Sequence, residues 1–172
     1  MVLYNKINTL KRGDGKMASE ELYQEFLYVA KVLNENLGIT PVLYGSLGLE
    51  IITGLKFKPE DIDILVPIAF MEKDWPLLKQ TMEELSYELT DLHEHKFKKN
   101  GFEIGYAFEE GLLDFAGVAY NLLAVKEEKG AVFKVLSVKE YIAVYRKSSK
   151  DSYRKTKNND KDLMKLAILE SL

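Results

Sequence analysis

Cysteine is absent from the 172 residues, which excludes a disulfide scaffold and any metal or nucleophile site built on thiolates. Tryptophan occurs once and histidine twice. Long apolar runs are also missing. The longest, Ile64–Met71, is interrupted by Pro67 and falls far short of the roughly 20 residues a bilayer span needs. Met1–Lys16 has no apolar segment of the kind a secretory signal carries, so a soluble cytoplasmic protein is the expectation. No internal repeat or low-complexity block occurs. What is present is a hydrophobic fraction of 47%, enough for one ordinary folded core and too much for a disordered tail.

The net charge of −3 conceals a segregation. Arg146–Lys165 holds eight basic residues and three acidic ones, and the remainder of the chain stands at −8. A solvated helix face explains such a patch, and so does a phosphate-bearing ligand. Acidity elsewhere argues against a nucleic-acid track, which needs a basic one.

Apolar residues Leu22, Phe26, Val29, Leu33 and Leu37 recur at helical spacing, predicting a helix over Ser19–Leu37 with Ser19 as N-cap and Gly38 as its stop. A short strand follows over Thr40–Tyr44, then a short helix over Leu47–Ile52 closed by Gly54. Asp61–Val66 reads as a buried strand ended by Pro67. Asp74 is expected to cap a second long helix with Leu78, Met82, Leu85 and Leu89 on its inner stripe. Asn100-Gly101 predicts a hairpin joining His93–Lys98 to Phe102–Phe108, and Lys129-Gly130 a second one joining Leu122–Val125 to Ala131–Leu136. Ser137 and Glu140 fit a capping box opening a helix to about Tyr145, and Asn159 or Asp160 opens the last helix. The order predicts an α+β fold, a small mixed sheet packed against helices, with residues 137–172 as a short C-terminal helical extension on a core spanning 1–136. Residues 1–18 are expected to be loosely held.

Asp61 and Asp63 carry the chemistry. Two residues apart on a strand, they project from one face while Ile62, Ile64 and Val66 turn to the core. Neighbouring carboxylates raise one another's pKa unless a cation separates them, and magnesium takes such oxygens while sharing its other positions with phosphates. Upstream, Gly45-Ser46 sits at a strand-to-helix turn, where a glycine permits close backbone approach and helix N–H groups with a hydroxyl suit a phosphate. Each half alone is more simply an exposed strand face or a serine-capped turn. Together they form one constellation.

In Tyr44-Gly45-Ser46 followed by Asp61-Ile62-Asp63-Ile64-Leu65-Val66, the chain resembles the nucleotidyltransferase superfamily of DNA polymerase beta. Gly45–Glu50 and Lys58–Asp63 look most like its small members that modify lincosamides and aminoglycosides. The likeness implies a third acid on a later strand, for which Glu103 is preferred and Asp114 is the alternative. It further implies that Asp61, Asp63 and Glu103 hold two Mg2+ ions, with Glu103 taking a proton from the attacking hydroxyl. Gly45 and Ser46 would hold the phosphates of a nucleoside triphosphate, and Lys157 or Lys161 would neutralise them. A nucleoside monophosphate would then pass to a hydroxyl of a small-molecule acceptor, with release of pyrophosphate. The uncertain third acid leaves open a non-catalytic binding module, or an antitoxin-like or protein-modifying member.

Other residues read more plainly. His93 and His95 share a predicted strand face near Asp91 and are taken as a polar hairpin face rather than a metal site. Tyr141 and Tyr145 have core spacing, although with Tyr153 they could stack on a base. Glu50 stands either beside the metals or in solvent, and Trp75 is a packing residue.

Overall fold

Strand alternation assigns each residue of the central strands to one of two helix layers. The computed structural model describes residues 18–150 and 152–172, and of 152–160 the backbone alone. Its strands are β1 (Val42–Tyr44), β2 (Ile62–Val66), β3 (Glu88–Asp91), β4 (Lys96–Lys99), β5 (Phe102–Phe108), β6 (Ala124–Glu128) and β7 (Ala131–Val135). They form one sheet in the order β3-β4-β5-β2-β1-β7-β6. β1 runs antiparallel to β2, whereas β2–β5 and β1–β7 are parallel and the outer strands fold on as antiparallel hairpins. Both predicted turns are present: Asn100-Gly101 and Lys129-Gly130 have positive φ at both residues (48° and 87°, 50° and 79°), the geometry of a two-residue hairpin loop.

The helices are α1 (Ser19–Leu37), α2 (Gly45–Thr53), α3 (Trp75–Glu84), α4 (Gly111–Ala116), α5 (Val138–Lys150) and α6 (Ser152–Glu170). On one face, Leu43, Ile62, Ile64, Val66, Ile104 and Tyr106 pack with Leu22, Phe26 and Leu33 of α1 and Leu78 and Met82 of α3. On the other, Val42 and Leu65 meet Leu49 of α2, Tyr141, Val144 and Tyr145 of α5 and Leu169 of α6. Asp61 and Asp63 share the parity of Leu65 and therefore open onto this second face. The architecture is the α+β sheet-and-helix fold the sequence predicts. No helix among the described residues is long and apolar enough to cross a membrane.

Several boundaries differ from the sequence reading. Ala18, not Ser19, takes the N-cap position of α1. α3 stops at Glu84, since Ser86 adopts φ 68° and the Tyr87 N–H returns to the Met82 carbonyl at 3.0 Å. Leu89 therefore lies on β3, a strand that no glycine or proline announces. His93 and His95 lie in the turn between β3 and β4 rather than on a strand; there Asp91 Oδ1 accepts the Glu94 N–H at 3.0 Å and His95 meets the edge of Trp75. β6 begins at Ala124, past Leu122 and Leu123, and β7 ends at Val135. The capping box forms: Ser137 N–H donates to Glu140 Oε1 at 2.9 Å and Glu140 N–H to Ser137 Oγ at 3.2 Å. The helix it opens extends to Lys150, and α6 starts at Ser152 rather than at Asn159 or Asp160. Its first turns carry no apolar periodicity, so nothing in the hydrophobic pattern marks them as helix. The expectation for residues 1–18 falls, apart from Ala18, outside the described residues.

Candidate active site

The backbone register brings the site together. Tyr44 pairs with Asp63, so the turn that begins at Gly45 lies beside the second acid. Gly45 has φ 68°, a conformation open to glycine at little cost. A Cβ there would collide with the Asp63 carboxylate, its Cγ only 3.2 Å away, so the missing side chain is the space the acid occupies. α2 starts at this glycine and places Ser46 in its first turn, where a helix leaves its leading N–H groups without intrahelical partners. The glycine turn and the acid pair are thus neighbours.

Ile62 pairs with Ile104 and Asp63 with Gly105, which puts Glu103 level with Asp61 on the same face. Asp114 is on α4, exposed, outside the sheet. Glu103, however, is engaged: Lys96 Nζ lies 3.7 Å from its Oε1 and Lys98 Nζ 3.4 Å from its Oε2. The Asp61 carboxyl is held above its ordinary range, first by burial and then by the charge of Glu103, with Lys96 pulling in the opposite direction.

Two further residues shape the site. Glu50 on α2 is buried, and its Oε1 accepts the N–H groups of Phe57 at 2.6 Å and Lys58 at 3.2 Å, which ties down the loop leading to Asp61. An acid on the inner face of an otherwise apolar helix is the signal that points to such a bond. Tyr141 reaches in from α5: its hydroxyl donates to the Gly45 carbonyl at 3.2 Å, and its ring stacks between Tyr44 and Tyr145. Burial, then Tyr145, Tyr44 and Asp63, push its pKa well up, so it stays a hydrogen-bond donor. Helical spacing marks it as core, which it is, but nothing in the sequence shows its bond to the glycine turn.

Lys161 is exposed on α6, and the side chain of Lys157 lies outside the described residues. An open groove between α5 and α6, lined by Val138, Ile142, Arg146 and Leu169, takes in none of these acids. Among the described residues no group of three or more Asp, Glu or His stands close enough to hold a metal ion. Asp61 and Asp63 are oxygen donors of the kind a hard cation takes, on one face of the sheet, and the Asp63 carboxylate is seated in the space left by the side chain that Gly45 lacks.

The chain is 49% identical over 152 residues to the uncharacterized protein YnaI of Bacillus subtilis (strain 168), a match covering 88% of this chain and 97% of that one. No protein-family model matches it. The crystal structure of an antigenic nucleotidyltransferase-like protein from Paracoccidioides brasiliensis superposes with a TM-score of 0.59 at 15% identity, over 88% of this chain and 76% of that one. The antibiotic-resistance factor ANT(2'')-Ia gives a TM-score of 0.47 at 12% identity, covering 87% and 91%, a likeness too slight to bear on the fold.

Proposed function

The chain belongs to the family of YnaI and has the nucleotidyltransferase fold, and from that premise we propose that it is a Mg2+-dependent nucleotidyltransferase. It moves a nucleoside monophosphate from a nucleoside triphosphate to a hydroxyl of a small-molecule acceptor and releases pyrophosphate. The observation that carries this reading is the seat of Asp63 on Gly45: one glycine both bares the helix N-terminus that suits phosphate and makes room for a metal-binding carboxylate. An incidental acid pair has no reason to share a residue with a phosphate turn.

Asp61 and Asp63 would hold the ion from one strand face. Bound there, Mg2+ supplies charge stabilisation for an in-line displacement at the α-phosphorus. The N–H groups at the start of α2 and the Ser46 hydroxyl receive the outer phosphates, and Tyr141, by donating a hydrogen bond to the Gly45 carbonyl, keeps it turned away from that anion. Glu50 fixes the loop that delivers Asp61. A small acceptor rather than a nucleic acid follows from the negative charge outside the C-terminal basic segment.

The test is a screen of the four nucleoside triphosphates against pooled hydroxylated acceptors, following pyrophosphate. Release that the Asp61→Asn/Asp63→Asn double variant lacks supports the reading. Metal-dependent nucleotide binding without release would favour a non-catalytic module instead, a reading that the engagement of Glu103 by two lysines favours.

A further inference from the structure

We propose that Lys96 supplies a fixed positive charge in this site, so that Asp61 and Asp63 hold one divalent ion rather than the two that the family resemblance implies. Glu103 then anchors the lysine and is not itself a metal ligand. The inference rests on the reading that Asp61 and Asp63 bind a divalent ion.

It is carried by the order of residues across the sheet. Neighbouring strands are about 4.8 Å apart, so residues in register form rows. One row runs Tyr44, Asp63, Gly105, Lys96, because Asp63 pairs with Gly105 and Gly105 with Lys96. Gly105 contributes no side chain, and the gap it leaves is bordered on both sides. A Cβ there would stand 3.6 Å from Asp63 Oδ1 and 3.8 Å from Lys96 Cγ. The lysine stem thus lies against bare backbone, and its ammonium, 3.7 Å from Glu103 Oε1, is near enough to Asp61 to oppose the rise of that carboxyl's pKa. In the adjacent row, Glu103 pairs with Lys98, and its two oxygens face Lys96 and Lys98 separately.

Charge and stoichiometry follow. Two metal ions sharing three carboxylates need all three free, whereas Lys96 and Lys98 leave the acidic cluster with a net charge of about −1. That suits a single divalent ion carried in with an anionic nucleotide. Lys96 is the group placed to reach an oxygen of that nucleotide, since its side chain is half-exposed and Lys98 lies further out. An ammonium is a point charge with three donors and suits a phosphate oxygen.

The experiment counts bound Mn2+ by electron paramagnetic resonance at saturating concentrations of non-hydrolysable ATP and GTP analogues, each in turn. Wild type is expected to bind one ion per chain above the analogue-only control. Glu103→Gln should still bind one ion per chain at saturation, with affinity lowered by no more than the roughly 10–100-fold that loss of a residue positioning others around a metal costs. The double variant Lys96→Met/Lys98→Met should bind a second ion, with Glu103 released from both lysines to receive it. Lys96→Arg, which keeps the charge, should stay at one, and it guards against a general effect of altering the strand. Two ions in wild type, or loss of the ion in Glu103→Gln, overturns the inference and leaves the functional reading standing. No protein-bound ion with either analogue removes both.

Discussion

Asp63 of β2 rests on Gly45, its carboxylate filling the volume that any other residue's Cβ would take, and the glycine holds φ at 68° to allow it. Gly45→Ala therefore makes two demands at once. The left-handed backbone costs an L-residue about 1–2 kcal/mol, and the new methyl must push the carboxylate off its seat. Chemical denaturation should show a stability loss of about that size. Mn2+ affinity should fall by about tenfold or more, the scale expected when a ligand's orientation is disturbed. Loss of stability with unchanged Mn2+ affinity would dissociate Asp63 from the metal.

Asp61 predicts a pH dependence. Its folded-state pKa is raised above the ordinary 3.8 by burial and by Glu103, with Lys96 opposing and Glu60 adding to the shift. A carboxyl whose folded pKa is raised favours folding below its unfolded pKa, and that contribution is lost as pH rises through the folded value. Without metal, the ionised form is thus a liability at neutrality. Asp61→Asn should raise the melting temperature at pH 7 by about 2 °C, the shift that roughly 0.5–1 kcal/mol gives in a domain of this size. The advantage should disappear below about pH 4. Mg2+ with nucleotide should stabilise wild type and not the variant, since only wild type gains a bound ligand.

Glu50 sits buried with the N–H groups of Phe57 and Lys58 on one oxygen. Truncation to alanine leaves both donors without that partner, at about 1–3 kcal/mol. Glu50→Gln retains an acceptor oxygen and should recover most of the loss. Limited proteolysis should find the loop before Asp61 more readily cut in Glu50→Ala than in Glu50→Gln. Equal cutting would mean that this loop is held by other contacts.

The legible parts of this chain are those written in local chemistry. Asn100-Gly101 and Lys129-Gly130 specify their turns, Gly38 and Gly54 stop their helices with φ 64° and 72°, and Asp61-Ile62-Asp63 states its own two-sided strand. Register, by contrast, is a relation between distant segments. Nothing near Lys96 says that it lies in one row with Asp63, because that follows from how β4, β5 and β2 pair. β3 is hidden in the sequence for a similar reason. Leu85 and Leu89 continue the spacing of α3, and the turn at Ser86 uses a left-handed non-glycine residue that composition does not flag. The two histidines look like a strand face only until the β3–β4 turn is known to contain them.

Tyr141 gives the most direct test of whether α5 belongs to the site. Its hydroxyl fills the place of a side chain on Gly48 and donates to the carbonyl of Gly45. Tyr141→Phe removes one hydrogen bond and no packing, so it should cost only about 1 kcal/mol. If the bond also sets the glycine turn, Mn2+ affinity should fall several-fold while the near-neutral loss in stability stays small. Gly48→Ala should be worse, by about 1–3 kcal/mol, since its methyl meets the hydroxyl and also the Leu43 carbonyl oxygen at 2.8 Å. The two substitutions combined then decide between the causes. Removing the hydroxyl clears one obstruction, but the Leu43 carbonyl belongs to β1 and cannot withdraw without breaking the strand that carries Tyr44. The double variant should therefore stay close to Gly48→Ala in stability, and full recovery would show that the tyrosine alone requires glycine at that position.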